Sequence, residues 1–101
     1  MADYTLDRSH QKVLRRNFRR LKKTILPAGI IDHLYAEYVL DDTDYEDITR
    51  MDTTTDTVEM LLLYLMRKSN DCYTIFLEVL KNNSHQHVAD FLQVIQLMNN
   101  I

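Results

Sequence analysis

An all-α bundle is the fold class this sequence predicts, and three observations carry the prediction. The chain of 101 residues holds one glycine, Gly29, and one proline, Pro27, so the tight primed turns of an all-β fold have almost nothing to be built from. Apolar residues recur at i, i+3, i+4 and i+7 in stretch after stretch, which is the period of a helix face and not of a strand. The segments between these stretches are short, about two to six residues, and rich in the Ser, Thr, Asp and Asn that cap helices. With 46% hydrophobic residues a chain of this size buries one modest core, so residues 1–101 are expected to form a single domain.

The first helix is expected over Asp7–Ile25, where Leu14, Phe18, Leu21 and Ile25 form the i, i+4, i+7, i+11 series. Lys12, Arg15, Arg16, Arg19, Arg20 and Lys23 fall on the far side, which makes them one solvated basic face. Leu26-Pro27 interrupts the pattern, because proline disfavours helical geometry at the residue before it and suits the first turn of a new helix. A second helix follows from about Ala28 to Tyr38, with Ile31, Leu34, Tyr35 and Tyr38 inward and Asp32, His33 and Glu37 outward. Thr43-Asp44-Tyr45-Glu46 has the capping-box form, which starts a short acidic third helix running to about Arg50.

The polar connector Asp52-Thr53-Thr54-Thr55-Asp56 leads into Val58 and Met60 to Met66, apolar on nearly all sides and therefore expected to be the most buried helix. Ser69-Asn70-Asp71 caps a fifth helix whose Cys72, Ile75, Phe76, Val79 and Leu80 point inward. Ser84 is taken to start a sixth, with Val88, Phe91, Leu92, Ile95 and Met98 inward. Six short helices on short loops pack as an antiparallel bundle. The chain shows no internal repeat, low-complexity tract or linker.

Composition narrows the function. Cys72 is the only cysteine, which rules out an intramolecular disulfide and fits a reducing compartment. The N-terminal ten residues lack an apolar signal core, and Met60 to Met66 is too short to cross a bilayer, so a soluble, cytoplasmic protein is expected. Net charge is only −3, but it is segregated. Eight of the twelve Lys and Arg lie between Arg8 and Lys23, and ten of the fifteen acids between Asp32 and Glu59.

Chemistry-bearing patterns are weak. Asp42-x-Asp44-x-Glu46 lacks the glycine of a calcium loop, and the twelfth position, Thr53, is no bidentate ligand. His85 and His87 are two apart, which puts them on different sides of a helix and suggests surface residues in a first turn. Cys72 lies on an apolar helical face, the setting of a buried, inert thiol and not of a nucleophile. No catalytic residue, metal site or cofactor is expected.

The order of these elements resembles a known family. A long basic first helix, the acidic segment from Ile31-Asp32-His33-Leu34 to Val39-Leu40-Asp41-Asp42, a Thr-rich connector, the Leu61-Leu62-Leu63-Tyr64-Leu65 helix and Tyr73-x-x-Phe76-x-x-x-Leu80 together resemble a caspase-recruitment domain (CARD) of the death-fold superfamily. Leu14-Arg15-Arg16 with Leu21 is similar to the first helix of initiator-caspase prodomains, and Asn70-Asp71-Cys72-Tyr73 to apoptosome-type adaptors. Two departures stand out. Lys68-Ser69-Asn70 replaces the Arg-Gly pair many members carry before helix five, and Asp56 and Glu59 occupy the start of helix four, where many members are basic.

The resemblance implies a six-helix Greek-key bundle that binds other CARD-containing proteins, caspase or adaptor, and self-associates. In that scheme a basic face of Arg15, Arg16, Arg19, Arg20 and Lys23, with Arg67 and Lys68, meets an acidic face of Asp32, Glu37, Asp41, Asp42, Asp44 and Asp47. The charge segregation has that form independently of the resemblance. Death-effector or pyrin-type adaptors are the alternatives within the fold. A small basic-helix protein binding nucleic acid is the alternative outside it. Against nucleic acid and membrane stand a sequence pI near 5.7, an acidic field that repels phosphate, and a first helix whose apolar face is used by the core.

Overall fold

The computed structural model describes residues 6–99. Among them are seven helices and no strand: α1 (Arg8–Arg16), α2 (Phe18–Thr24), α3 (Ala28–Ala36), α4 (Asp42–Thr49), α5 (Thr54–Leu65), α6 (Asn70–Asn82) and α7 (Gln86–Asn99). The count exceeds six because the expected first helix is broken at Asn17. The Asn17 side-chain amide donates to the Val13 carbonyl at 2.8 Å while its own N–H reaches the same oxygen at 3.2 Å, and its backbone leaves helical geometry (φ −108°, ψ 14°). A short amide side chain offering the backbone an alternative partner is the usual way such residues bend a helix. The break has a packing consequence: α1 lies against α7, whereas α2 lies against α5.

The remaining pairings wrap these two around a common centre. α5 also contacts α4, α3 contacts α6 and α4, and α6 forms a hairpin with α7. Val13, Leu14, Leu21, Ile25, Ile30, Ile31, Leu34, Ile48, Val58, Leu61, Leu62, Leu65, Phe76, Val79, Leu80, Val88 and Leu92 make up most of the buried core. At about 0.8 kcal/mol per buried methylene, these side chains supply most of the drive to fold. α5 contributes Val58, Leu61, Leu62 and Leu65, but it is not apolar-buried all round, since Leu63 is 41% exposed.

Caps set the boundaries. Asp7, Thr53 and Ser69 each accept a backbone N–H from the third residue on, His10, Asp56 and Cys72 respectively. Each such cap is worth about 1 kcal/mol. The capping box of α4 is not Thr43/Glu46 but Asp41/Asp44, two residues earlier, with the Asp44 N–H donating to Asp41 at 2.8 Å and the Asp41 N–H to Asp44 at 3.2 Å. The reason is apolar. This register puts buried Leu40 just before the cap and partly buried Tyr45 at the fourth helical position, the two places of a hydrophobic staple. The Thr43 register would put Asp42 and Asp47 there.

Helix C-termini revise several expectations. After α3, the Val39 N–H bonds the Leu34 carbonyl at 3.0 Å and the Tyr38 N–H bonds that of Tyr35 at 3.1 Å. This is a Schellman motif, with Tyr38 in the left-handed position (φ 62°) that glycine usually fills. An L residue there carries strain of about 1–3 kcal/mol. Tyr38 is therefore not inward but 94% exposed, Tyr35 is 40% exposed, and Ile30 takes the core position instead. After α6 the same pattern recurs with Ser84 (φ 66°) and a bond from the His85 N–H to Leu80 at 2.8 Å, so α7 starts at Gln86 and not at Ser84. Its last turns are not fully covered: Met98 is 65% exposed, not inward.

His85 is the second correction at this corner. It is buried, not on the surface: its Nε2 accepts the Leu26 N–H at 3.0 Å and its Nδ1 donates to the Asn83 carbonyl at 2.7 Å. Both bonds require the neutral imidazole with its proton on Nδ1. The ring thereby ties the connector before α3 to the turn before α7. Asn83 completes the corner by donating to the Val79 carbonyl at 2.7 Å, and its Oδ1 would lie 2.9 Å from a Cβ at Gly29, which is why α3 approaches that turn through its one glycine.

Candidate partner-binding faces

The expected basic residues sit on α1 and α2, and Arg15, Arg16, Arg19, Arg20 and Lys23 are all exposed. Lys12, which periodicity already put on this face, and Arg8 extend the surface, since a concavity on α1 is lined by Arg8, Gln11, Lys12, Arg15 and Arg16. The i, i+4 spacing of Arg8 from Lys12 is the sequence signal that places Arg8 beside it. Arg20 is anchored, with its guanidinium carbon 3.9 Å from the centre of the Phe91 ring on α7. Lys22 is half-buried and paired to Glu59 on α5 at 2.7 Å, so this acid meets a lysine of its own chain.

Arg67 and Lys68, just after α5, part company. Arg67 is exposed, with its guanidinium 5.7 Å from the Tyr64 ring. Lys68 is partly buried and held by Asp44 at 2.6 Å, so one residue expected on each face is engaged with the other inside the same molecule.

The aspartates of α3 and α4 are held by neighbouring groups. The Tyr45 hydroxyl donates to Asp32 at 2.9 Å, the Tyr64 hydroxyl to Asp47 at 2.7 Å, and the Tyr35 hydroxyl to Asp42. The Tyr35 and Tyr45 rings lean together with centres 4.7 Å apart. These hydrogen bonds, reinforced by the charge of the same carboxylates, raise the pKa of all three tyrosines above the ordinary phenol value. Asp41 and Asp44 form the α4 cap, and Glu37 is exposed at the end of α3. The result is a carboxylate surface whose groups are aimed by neighbours; sequence spacing alone could not reveal it, because the tyrosines come from α3, α4 and α5.

Other chemistry is sparse. Among the described residues no group of three or more His, Cys, Asp or Glu is arranged to hold a metal, and no helix is long and apolar enough to cross a membrane. Cys72 is partly exposed, not buried as its helical face suggested. Asp7 has its pKa lowered: burial acts to raise it, but the His10 backbone N–H, the Ser9 hydroxyl, the His10 charge and the Asn70 amide outweigh that. Tyr73 is buried with a hydroxyl that has no hydrogen-bond partner among the described residues, and burial, then the Asp7 charge, pushes its pKa up to about 12.

A short-looped helical bundle that carries one basic and one acidic surface has the form of a helical protein-interaction domain. The family model of the caspase recruitment domain matches residues 11–94, and the chain belongs to that family. It is accordingly an all-α death fold and a homotypic protein–protein interaction module; the family is an interaction family and not a catalytic one. No curated protein matches the sequence.

Proposed function

We propose that this domain assembles cytoplasmic signalling complexes of apoptosis or inflammation by docking the basic α1–α2 face of one CARD on the acidic α3–α4 face of another. The observation that carries the reading is the segregation itself: exposed Arg15, Arg16, Arg19, Arg20 and Lys23 on one pair of helices, and Asp32, Glu37, Asp41 and Asp42 exposed on the next pair. Because both poles belong to one chain, the contact is head-to-tail and need not close into a dimer. An exposed ion pair contributes only about 0–1 kcal/mol, so affinity must come from several pairs in register. The partners are other CARD-containing proteins, caspase or adaptor, and further copies of this chain.

Arg16→Glu with Arg19→Glu tests this. Both side chains are exposed, so the variant is expected to keep its helicity and melting temperature while losing association, followed by light scattering and a two-tag pull-down. Binding by the wild type is expected to weaken with salt, as exposed charges are screened over about 8–10 Å at physiological ionic strength. A double variant that assembles like the wild type would leave the charged faces as mere solvated surface. Binding of duplex or single-stranded oligonucleotide at moderate salt would favour the nucleic-acid alternative instead.

A further inference from the structure

Tyr38 is a large aromatic side chain where the fold asks for none. Its backbone is left-handed at the C-terminus of α3, a position suited to glycine, and its ring is 94% exposed, so it gives the monomer no packing in return for the strain. At the equivalent place after α6 the chain uses the small Ser84. Tyr38 borders a hollow of about 330 Å³ lined also by Tyr35, Leu40, Asp41 and Asp42. Leu40 is buried, and the Asp42 carboxylate is held by the Tyr35 hydroxyl. A hollow that sets two aspartates beside an exposed aromatic ring suits a guanidinium on an aliphatic stem, which stacks on the ring while it pairs with the acids.

We propose that Tyr38 is the aromatic anchor of the acidic face, and that its occupant is an arginine from the α1–α2 basic face of a second copy of this chain. The inference rests on the docking proposed above and adds what the charges alone lack. Exposed ion pairs are weak and long-range, whereas Tyr and Arg are the residue types that most often dominate interface energetics. A preformed aromatic edge beside fixed carboxylates gives the contact a position as well as a sign.

The test uses two copies that can meet in one way only. The first carries Arg16→Glu with Arg19→Glu, which leaves just its acidic face usable; the second carries Glu37→Arg with Asp42→Arg, which leaves just its basic face. Each is expected to be monomeric alone and to bind the other, with the affinity read by calorimetry. Tyr38→Gly in the first copy is expected to weaken the pair by about tenfold or more, the scale of an interface hot spot. In the second copy the same substitution is expected to change nothing. The melting temperature of the Tyr38→Gly chain is expected at or above that of its parent, because glycine relaxes the left-handed backbone. Tyr38→Asn, also tolerated in that region, is expected to weaken binding in the same copy alone, which separates loss of the ring from glycine's added chain freedom.

Unchanged affinity in the first copy, or equal loss in both, overturns the anchor. If the two blocked copies fail to bind while the wild type assembles, the charged-face docking itself is wrong. A wild-type chain that stays monomeric at high concentration overturns the second copy as occupant.

Discussion

The two charged faces are built on opposite plans. On α1 and α2 all the cations but Lys22 project into solvent, and among the described residues Arg15, Arg16 and Arg19 make no ion pair within the chain. On α3 and α4 the acids are structural: Asp41 and Asp44 cap a helix, Asp44 also holds Lys68, and Asp32, Asp42 and Asp47 each accept a tyrosine hydroxyl. The difference teaches that equal and opposite charge need not mean equal expendability. Under the proposed docking, a cation on the first face would serve a partner alone, whereas most acids on the second would serve the partner and the fold together.

The largest effect should come from beneath both faces. Leu62 on α5 is fully buried, and α5 is the helix against which both α2 and α4 rest. Leu62→Ala is expected to destabilise the domain by about 2–5 kcal/mol, a large share of what a domain this size possesses. Thermal or denaturant unfolding measures it. A melting temperature within a degree or two of wild type would mean that the two faces do not share one foundation.

A smaller effect separates the faces directly. Asp41→Arg with Asp44→Arg removes the α4 capping box and the Lys68 ion pair, and is expected to cost about 1–2 kcal/mol before any partner is added. Arg16→Glu with Arg19→Glu is expected to stay within about 0.5 kcal/mol of wild type, as exposed surface changes usually do. Equal losses in the two variants would erase the contrast between structural acids and free cations. The same asymmetry makes Glu37→Arg the better probe of acidic-face binding, since a cation at the end of α3 also suits the helix dipole.

The smallest effect is an alkaline pH dependence to which the acidic face contributes three tyrosines. Tyr35, Tyr45 and Tyr64 have raised folded-state pKa values because their hydroxyls donate to carboxylates. The stability these bonds add is therefore fully present below the unfolded tyrosine value of roughly 10 and is lost as pH rises through the higher folded values. Phenolate absorbance during alkaline titration should show these three ionising late. Replacing all three by phenylalanine should flatten that part of the stability profile, apart from the contribution of Tyr73, whose pKa of about 12 has burial as its main cause. Ionisation of the three at the ordinary phenol value would show that the tyrosine–aspartate bonds do not persist in solution.

Much of the fold was legible because it depends on neighbours within about four residues along the chain. The apolar series Leu14, Leu21 and Ile25, the Ser69 cap, a cap somewhere in the Asp52 to Asp56 connector, and the inward Leu61, Leu62, Phe76 and Leu80 follow from helical period and from side chains that reach their own backbone. The identity and segregation of the charged residues were equally plain, since exposure of a long cation on the far side of a helix needs no knowledge of what covers the near side.

What only the tertiary structure decided lies at longer range. Two capping registers fitted the Asp41 to Glu46 segment, and the choice fell to the one that buries Leu40 and packs Tyr45 against the core. Periodicity put Tyr38 inward, but α3 ends at Ala36 and Tyr38 is the left-handed residue that turns the chain away. His85 is drawn inside by the Leu26 N–H, 59 residues away, and Lys68 is claimed by Asp44 across 24. Polar side chains choose among many nearly equivalent partners, and only the packed backbone brings one of them within 3 Å, so composition foretold that the two faces would exist while the fold decided which of their charges are free.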